Sequence, residues 1–148
     1  MIGMSRHLEY ARELASGQRP HPGFFQTIGA RVISAEPGRA VVELEIGPQH
    51  HNPMGTVHGG MLCDVADAAM GIAYRTTVPD EDGFTTIELK INFLRPVISG
   101  RVRAVGHLVK GGRRLGLLEC DVLDDQDRLV ARASSTCMTL AGEGSTRG

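Results

Sequence analysis

The chain has 148 residues, enough for one domain with a real core. A formal net charge of −1, 4% aromatic residues and no tryptophan leave no global electrostatic or stacking case for binding nucleic acid or a membrane surface. No apolar run approaches the roughly 18 residues that a membrane span needs, and the three cysteines, Cys63, Cys120 and Cys137, are odd in number with no CxxC pair.

The opening stretch "MIGMSRHLEYARELASGQ" is too polar for a secretory leader, so a reducing, cytoplasmic setting with thiols packed as small hydrophobes is expected. Ser5 is placed to cap a helix through Ala15, with Gly17 as its stop. "GQRPHPG" follows as a linker, closing an N-terminal segment of about residues 1–23 ahead of a core of about 24–140. Strands are predicted over Gln26–Glu36 and Arg39–Ile46, joined at Glu36-Pro37-Gly38. Residues 48–58 form a loop with two prolines, and a helix runs from Gly59 to about Thr76. After Pro79 and Gly83 the period switches to two: Ile87, Leu89, Ile91 and Phe93 alternate with Glu88, Lys90 and Asn92. Three more strands are predicted over Arg101–Lys110, Arg114–Leu123 and Leu129–Leu140, linked by short turns. The residues after Ala141 read as a flexible tail. Hairpin-linked strands argue for an antiparallel sheet. The long helix is apolar nearly all round and so is expected to be buried on most sides. The fold class that follows is α+β, a curved antiparallel sheet wrapped around one long central helix, in a single domain.

Two features of "HHNPMGTVHGGMLCDVADAAMGIAYR" suggest chemistry. A helix N-terminus presents unpaired backbone N–H groups, and glycines let a ligand oxygen approach them. Gly59-Gly60 therefore suits an anion, or a carbonyl oxygen becoming one. The plainer reading is that the glycines only seat the helix against the sheet. Asp64 and Asp67 interrupt the apolar helix, where carboxylates are kept mostly to act or to pair; one of the two is expected to be structural. Gly59 and Asp67 are eight residues apart, about 12 Å along one helix axis. One substrate carbonyl cannot touch both in the same chain, so a site using both must join two subunits. That implies a two-fold dimer with composite sites.

His50, Asn52, Gly55, His58, Gly59, Gly60 and Asp67 together resemble the "HxNxxGxxHGG…D" pattern of hotdog-fold acyl-CoA thioesterases of the phenylacetate-pathway (PaaI) type. The resemblance covers about residues 24–140 and extends to "INFLRPV" and "VKGGRRL". It implies the hotdog fold and hydrolysis of a coenzyme A thioester to a free acid and coenzyme A. It implies no separate cofactor, since coenzyme A is part of the substrate, and a homodimer that pairs into a homotetramer. By position, Asp67 resembles the nucleophile or general base. The Gly59 N–H resembles the oxyanion-hole donor, and Asn52 the polar residue near the thioester carbonyl or attacking water. Thr86 resembles a Ser or Thr that helps hold water or the carboxylate, with Thr85 as its competitor. Gly60, the strand end at Phe93, Arg95 and Pro96, and the hairpin Lys110, Gly111, Gly112, Arg113 and Arg114 resemble the coenzyme A path. For the hairpin the plainer reading is a solvated turn.

The chemistry is sensible with few parts. A thioester carbonyl is more electrophilic than an ester's, and the leaving thiol has an ordinary pKa of about 8.5. A carboxylate and an oxyanion hole then suffice without a Ser-His-Asp triad. His50, His51 and His58 match no standard metal ligand spacing, and no metal is expected; His58 is read as orienting the loop or lining the site. Two other classes stay open: a non-catalytic acyl-CoA sensor on the same fold, and a hydratase or dehydratase, whose usual His–Phe–Pro–Gly run is missing here.

Overall fold

The computed structural model describes residues 3–144. Helix α1 (Arg6–Ser16) is capped as expected. The Ser5 side chain accepts from the backbone of His7 and Leu8, and Gly17 ends the helix in the left-handed conformation. Its buried face, including Leu8, Ala11 and Leu14, lies on β1. Tyr10 on its flank sits 4.9 Å from the Arg19 guanidinium and 5.0 Å from that of Arg75.

The first predicted strand is corrected at its start. Residues Gly23–Ile28 form a short helix, α2, and β1 (Ala30–Glu36) begins only after it. Gly29 provides the reason: at φ 80° it closes α2 by donating its N–H to the Phe25 carbonyl, and Phe25 is buried beneath. Strand β2 (Arg39–Ile46) follows across a turn at Gly38. Next come α3 (Gly59–Arg75), β3 (Gly83–Phe93), β4 (Gly100–Gly111), β5 (Leu115–Leu123) and β6 (Leu129–Leu140). The six strands form one antiparallel sheet in the order β1-β2-β4-β5-β6-β3. It curls around α3, which touches every strand. This is the wrapped arrangement expected from the sequence.

The core lies between α3 and the sheet's concave face. Val65, Ala66, Ala69, Met70 and Ala73 are fully buried against Val42, Leu44, Val102, Ala104, Leu118 and Cys120. Each large aliphatic contributes roughly 1.5–3 kcal/mol by leaving water. The alanines permit close approach, and Gly106 on β4 completes it. A Cβ there would stand 2.6 Å from the Ala69 carbonyl carbon and 2.7 Å from the Met70 nitrogen. Helix backbone rests directly on strand backbone at this point.

Burial of α3 on most sides is as expected: within Gly59–Arg75 only Asp67 is exposed. One stripe, beside the edge strand β3, is less covered. Along this stripe Asp67 is exposed, while Met61, Cys63, Asp64 and Ala68 are partly so. The two aspartates therefore stand on the less covered side of an apolar helix, Asp67 exposed and Asp64 partly buried.

Strand β3 departs from simple alternation. Thr86 pairs with Cys137, but Glu88 pairs with Thr136, so Ile87 is an extra, bulged residue. Strict alternation back from Leu89 would turn Thr85 toward the helix. The bulge turns Thr86 inward instead. Past β6 the chain is tied down rather than free as far as it is described. Gly142 donates its N–H to the Asp82 carboxylate and Gly144 to the Glu81 carbonyl. Residues 145–148 of the expected tail lie outside the described residues. Among the described residues no helix is long and apolar enough to cross a membrane.

Candidate active site

The N-terminus of α3 is built by the preceding loop. Asn52 Oδ1 accepts from the backbone N–H groups of Met54 and Thr56 at 2.9 and 3.2 Å, and its Nδ2 donates to Thr56 Oγ1 at 2.9 Å. Two backbone donors on Oδ1 fix the amide's orientation and leave one Nδ2 hydrogen free. The loop is pinned from both sides: His58 N–H donates to the His50 carbonyl and Val57 N–H to the Val97 carbonyl. His50 is buried, with Nδ1 accepting from Gly47 N–H, so Nε2 donates to the Ile28 carbonyl at 2.7 Å. His51 Nε2 donates to the Ile98 carbonyl.

His58 is the N-cap of α3. Its Nδ1 accepts from the Gly60 N–H at 2.9 Å. Gly60, expected among the substrate contacts, thus has its amide committed to the cap. The Gly59 N–H has no acceptor among the described residues. A Cβ on Gly59 would stand 2.8 Å from Phe93 Cζ. The glycine therefore does two things: it leaves its N–H open, and it lets the Phe93 ring lie over the helix end. Around it lies a cleft of about 420 Å³ lined by Asn52, Gly59, Leu62, Phe93, Arg95 and Pro96, among others. Five of the expected site residues are brought together here.

Asp67 lies two turns further along α3, about 12 Å away by helix geometry. Thr86 Oγ1 donates to Asp67 Oδ1 at 3.0 Å. Thr85 instead donates to a backbone carbonyl, so of the two threonines it is Thr86 that meets Asp67. Behind Thr86 sits Cys137, with Sγ 3.7 Å from its hydroxyl oxygen and the residue wholly buried. Cys137 escaped the sequence reading; its signal would have been the odd spacing between Thr86 and Leu89 on the inward face of β3.

Asp64 is half-exposed, with no hydrogen-bond or ion-pair partner among the described residues. Burial, and next the charge of Asp67, push its carboxyl above the ordinary range. The folded state thus binds the Asp64 proton more tightly than the unfolded state. The resulting penalty is fully present above the folded value and disappears as pH falls below the unfolded one. Asp64→Asn is expected to raise Tm at neutral pH by about 1 °C. Thermal melts across pH check this: the gain should vanish in acid, and a gain independent of pH would mean the charge is not its cause.

The hairpin expected on the coenzyme A path stands elsewhere in the chain. Gly111, Gly112 and Arg113 line a small cleft of about 220 Å³ with Tyr74, Val78 and Pro79, at the C-terminal end of α3. Lys110, Arg113 and Arg114 are exposed and form no ion pair among the described residues. Within one chain the hairpin and the Gly59 cleft are at opposite ends of the helix. Among the described residues no three His, Cys, Asp or Glu side chains gather as metal ligands would. The cysteines are free: Cys120 and Cys137 are buried, Cys63 partly exposed, and burial pushes the Cys120 thiol up to about 12.

The sequence model of the thioesterase superfamily matches residues 54–131, which include Gly59, Asp67 and Thr86. The chain is 32% identical over 115 residues to a 1,4-dihydroxy-2-naphthoyl-CoA hydrolase of Listeria monocytogenes, covering 77% of this chain and 93% of that one. Among solved structures it is similar to a conserved protein of Pseudomonas aeruginosa (32% identity, TM-score 0.77, 81% of this chain and 95% of the other). It is also similar to a mutant of the phenylacetic acid degradation protein PaaI from Thermus thermophilus (30% identity, TM-score 0.72, 78% and 96%).

Proposed function

Because the chain belongs to the thioesterase superfamily, we propose that it hydrolyses an acyl- or aryl-CoA thioester at a site shared between two copies of itself. At the superfamily level it is a hotdog-fold thioester hydrolase. The observation that carries the finer reading is the arrangement on α3: a free Gly59 amide at one end, and Asp67 held by Thr86 on the less covered stripe. Neither half can serve one carbonyl alone. In an antiparallel pairing of two α3 helices the Gly59 amide of one meets the Asp67 of the other.

In that arrangement the thioester oxygen accepts from Gly59 N–H, which also has the positive end of the helix dipole behind it. The free Nδ2 hydrogen of Asn52 is a second donor on the cleft wall, which Arg95 also lines. Asp67 either attacks the carbonyl carbon and expels the coenzyme A thiolate, giving an anhydride that water then opens, or takes a proton from water that attacks the carbonyl and expels the same thiolate. Phe93 closes the helix end over the reacting group. Metal and separate cofactor have no step here. Following ¹⁸O from water into Asp67 in a single turnover separates nucleophile from base.

The antiparallel pairing also accounts for the hairpin. Moving past Gly59, away from its own helix, leads toward the C-terminal end of the partner's α3 and so toward the partner's hairpin. Lys110, Arg113 and Arg114 then serve the coenzyme A phosphates, with the Gly111-Gly112 backbone as further donors. Replacing Arg113 and Arg114 together by Gln is expected to raise KM for a CoA ester about tenfold at nearly constant kcat. The same acyl group on pantetheine, which lacks the nucleotide, should show no change. An equal effect on both substrates would place the arginines elsewhere.

Two such dimers are proposed to pack into a tetramer in the cytoplasm, through the outer sheet face where Leu115 and Leu117 remain 49% and 44% exposed. The direct test of function is free-thiol release from a panel of CoA esters, with acyl and aryl groups in parallel. Release from none of them would favour a non-catalytic acyl-CoA sensor.

A further inference from the structure

We propose that Cys137 is a positioning residue for Asp67: its thiol proton is given to Thr86, which commits the single Thr86 hydroxyl proton to Asp67 Oδ1 and leaves Oδ2 as the oxygen that faces substrate. This rests on the reading of Asp67 as the reacting carboxylate.

The assignment follows from counting protons. An ionised carboxylate can only accept. Thr86 Oγ1 stands 3.0 Å from Asp67 Oδ1, so the hydroxyl donates there. Its oxygen then has only lone pairs left for Cys137 Sγ at 3.7 Å, and the thiol must be the donor. The direction is one-way: Cys137 S–H to Thr86 O–H to Asp67. A thiolate at Cys137 would reverse it, by drawing the Thr86 proton to sulfur and away from Asp67. Burial pushes the Cys137 thiol up, outweighing the hydrogen bonds of Thr86 and Ser135 that act the other way, and the charges of Asp67 and Glu88 add to it, so its proton stays in place.

The fold builds this chain on purpose-shaped backbone. Thr86 and Cys137 are cross-strand partners on β3 and β6, and the bulge at Ile87 is what turns Thr86 onto the helix side at that pair. Cys137 is wholly buried, so no water can replace its donor. The charged and titratable groups around Asp67 are Asp64 and Cys63 on its own helix, Glu88 on β3 and Cys137 on β6. Among the described residues none of its neighbours is a cation within ion-pair distance. With no cation of its own chain paired to it, Asp67 is oriented by the Thr86 hydrogen bond.

The test is thiol release from a good CoA ester by Cys137→Ala, Cys137→Ser, Thr86→Val and the Thr86→Val/Cys137→Ala double variant, with pH profiles and melts. Cys137→Ala is expected to lower kcat about three- to tenfold with KM within about twofold. The acid limb of its kcat profile should move to higher pH, because a hydrogen bond favouring the charged carboxylate is weakened. Cys137→Ser, which keeps a donor, should recover most of the loss. In the Thr86→Val background, Cys137→Ala should add nothing. If Cys137→Ala does not fold, Cys137→Val fills the space without a donor and reads the same quantity. An unchanged pH profile and kcat, or the same loss with Thr86 as valine, would overturn the proposal and reduce Cys137 to packing. Asp67→Asn run alongside distinguishes the deeper failure: wild-type activity there overturns the reading of Asp67 itself.

Discussion

Asp67→Asn is expected to lower kcat for CoA-thioester hydrolysis by about a thousandfold or more while leaving Tm nearly unchanged. The amide still accepts the Thr86 hydrogen bond through its oxygen, and the position is exposed, so folding has little reason to suffer. What it loses is a basic, nucleophilic oxygen. The complementary lesion is Gly59→Pro. Gly59 is the first residue of α3 after the His58 cap, the helix position where proline is best tolerated. His58 at φ −62°, ψ 134° already has the extended conformation that a residue before proline prefers. Proline there removes the free N–H and little else, apart from a push against the Phe93 ring. A loss of about 10²–10³-fold in kcat is expected. Mixing the two inactive variants then decides where the site lies. Random pairing makes half of the dimers mixed, each with one intact composite site, so about a quarter of wild-type activity should return. No recovery on mixing would mean that both groups act within one chain, contrary to the 12 Å separation of about 1.5 Å per residue.

Gly106→Ala is expected to be the most damaging single methyl that can be added to the core. Its Cβ would stand 2.6–2.7 Å from the backbone atoms of Ala69 and Met70, and backbone cannot rotate out of the way as a side chain can. Alanine is slightly favoured over glycine in a strand, by about 0.5–1 kcal/mol of backbone entropy. Overpacking of about 3 kcal/mol outweighs that gain, and Tm should fall by roughly 5–10 °C. Activity should fall further than the melting curve implies, because α3 carries both the Gly59 amide and Asp67. A Tm within about 1 °C of wild type would mean that α3 lifts off β4 without cost.

Much of this molecule was legible from its residues, for reasons that differ along the chain. Strands β2, β4, β5 and β6 begin and end within one or two residues of their predicted bounds, because turn chemistry punctuates them. Helix α3 was legible as an element and as a helix buried on most sides, because its composition is apolar nearly all round; which stripe stays less covered depends on where the curl of the sheet ends. Short α2 was hidden because six residues carry too weak a period; its sign was Gly29, which reads equally as a strand break. At the site, the Gly59–Asp67 spacing was readable as a distance because helix rise is constant. The Thr86–Asp67 bond was not, since it depends on a bulge that shifts the parity of β3 by one. The commitment of the Gly60 amide to His58 was likewise invisible, because a histidine cap looks in sequence like any other histidine.

The edge strand has a consequence for how the protein is made. A newly finished chain carries β3 with eleven residues of backbone unpaired on one side, and exposed Ile87 and Phe93 beside it. While it stands open, that border is a template for any extended peptide in solution. For the proposed dimer, assembly is therefore a race between correct pairing and clumping. Refolding yield should pass through a maximum as protein concentration rises: too dilute and chains wait with open borders, too concentrated and the borders find the wrong neighbours. Exposed Lys90 in the middle of β3 and the twist of the bulge at Ile87 disfavour such stray pairing.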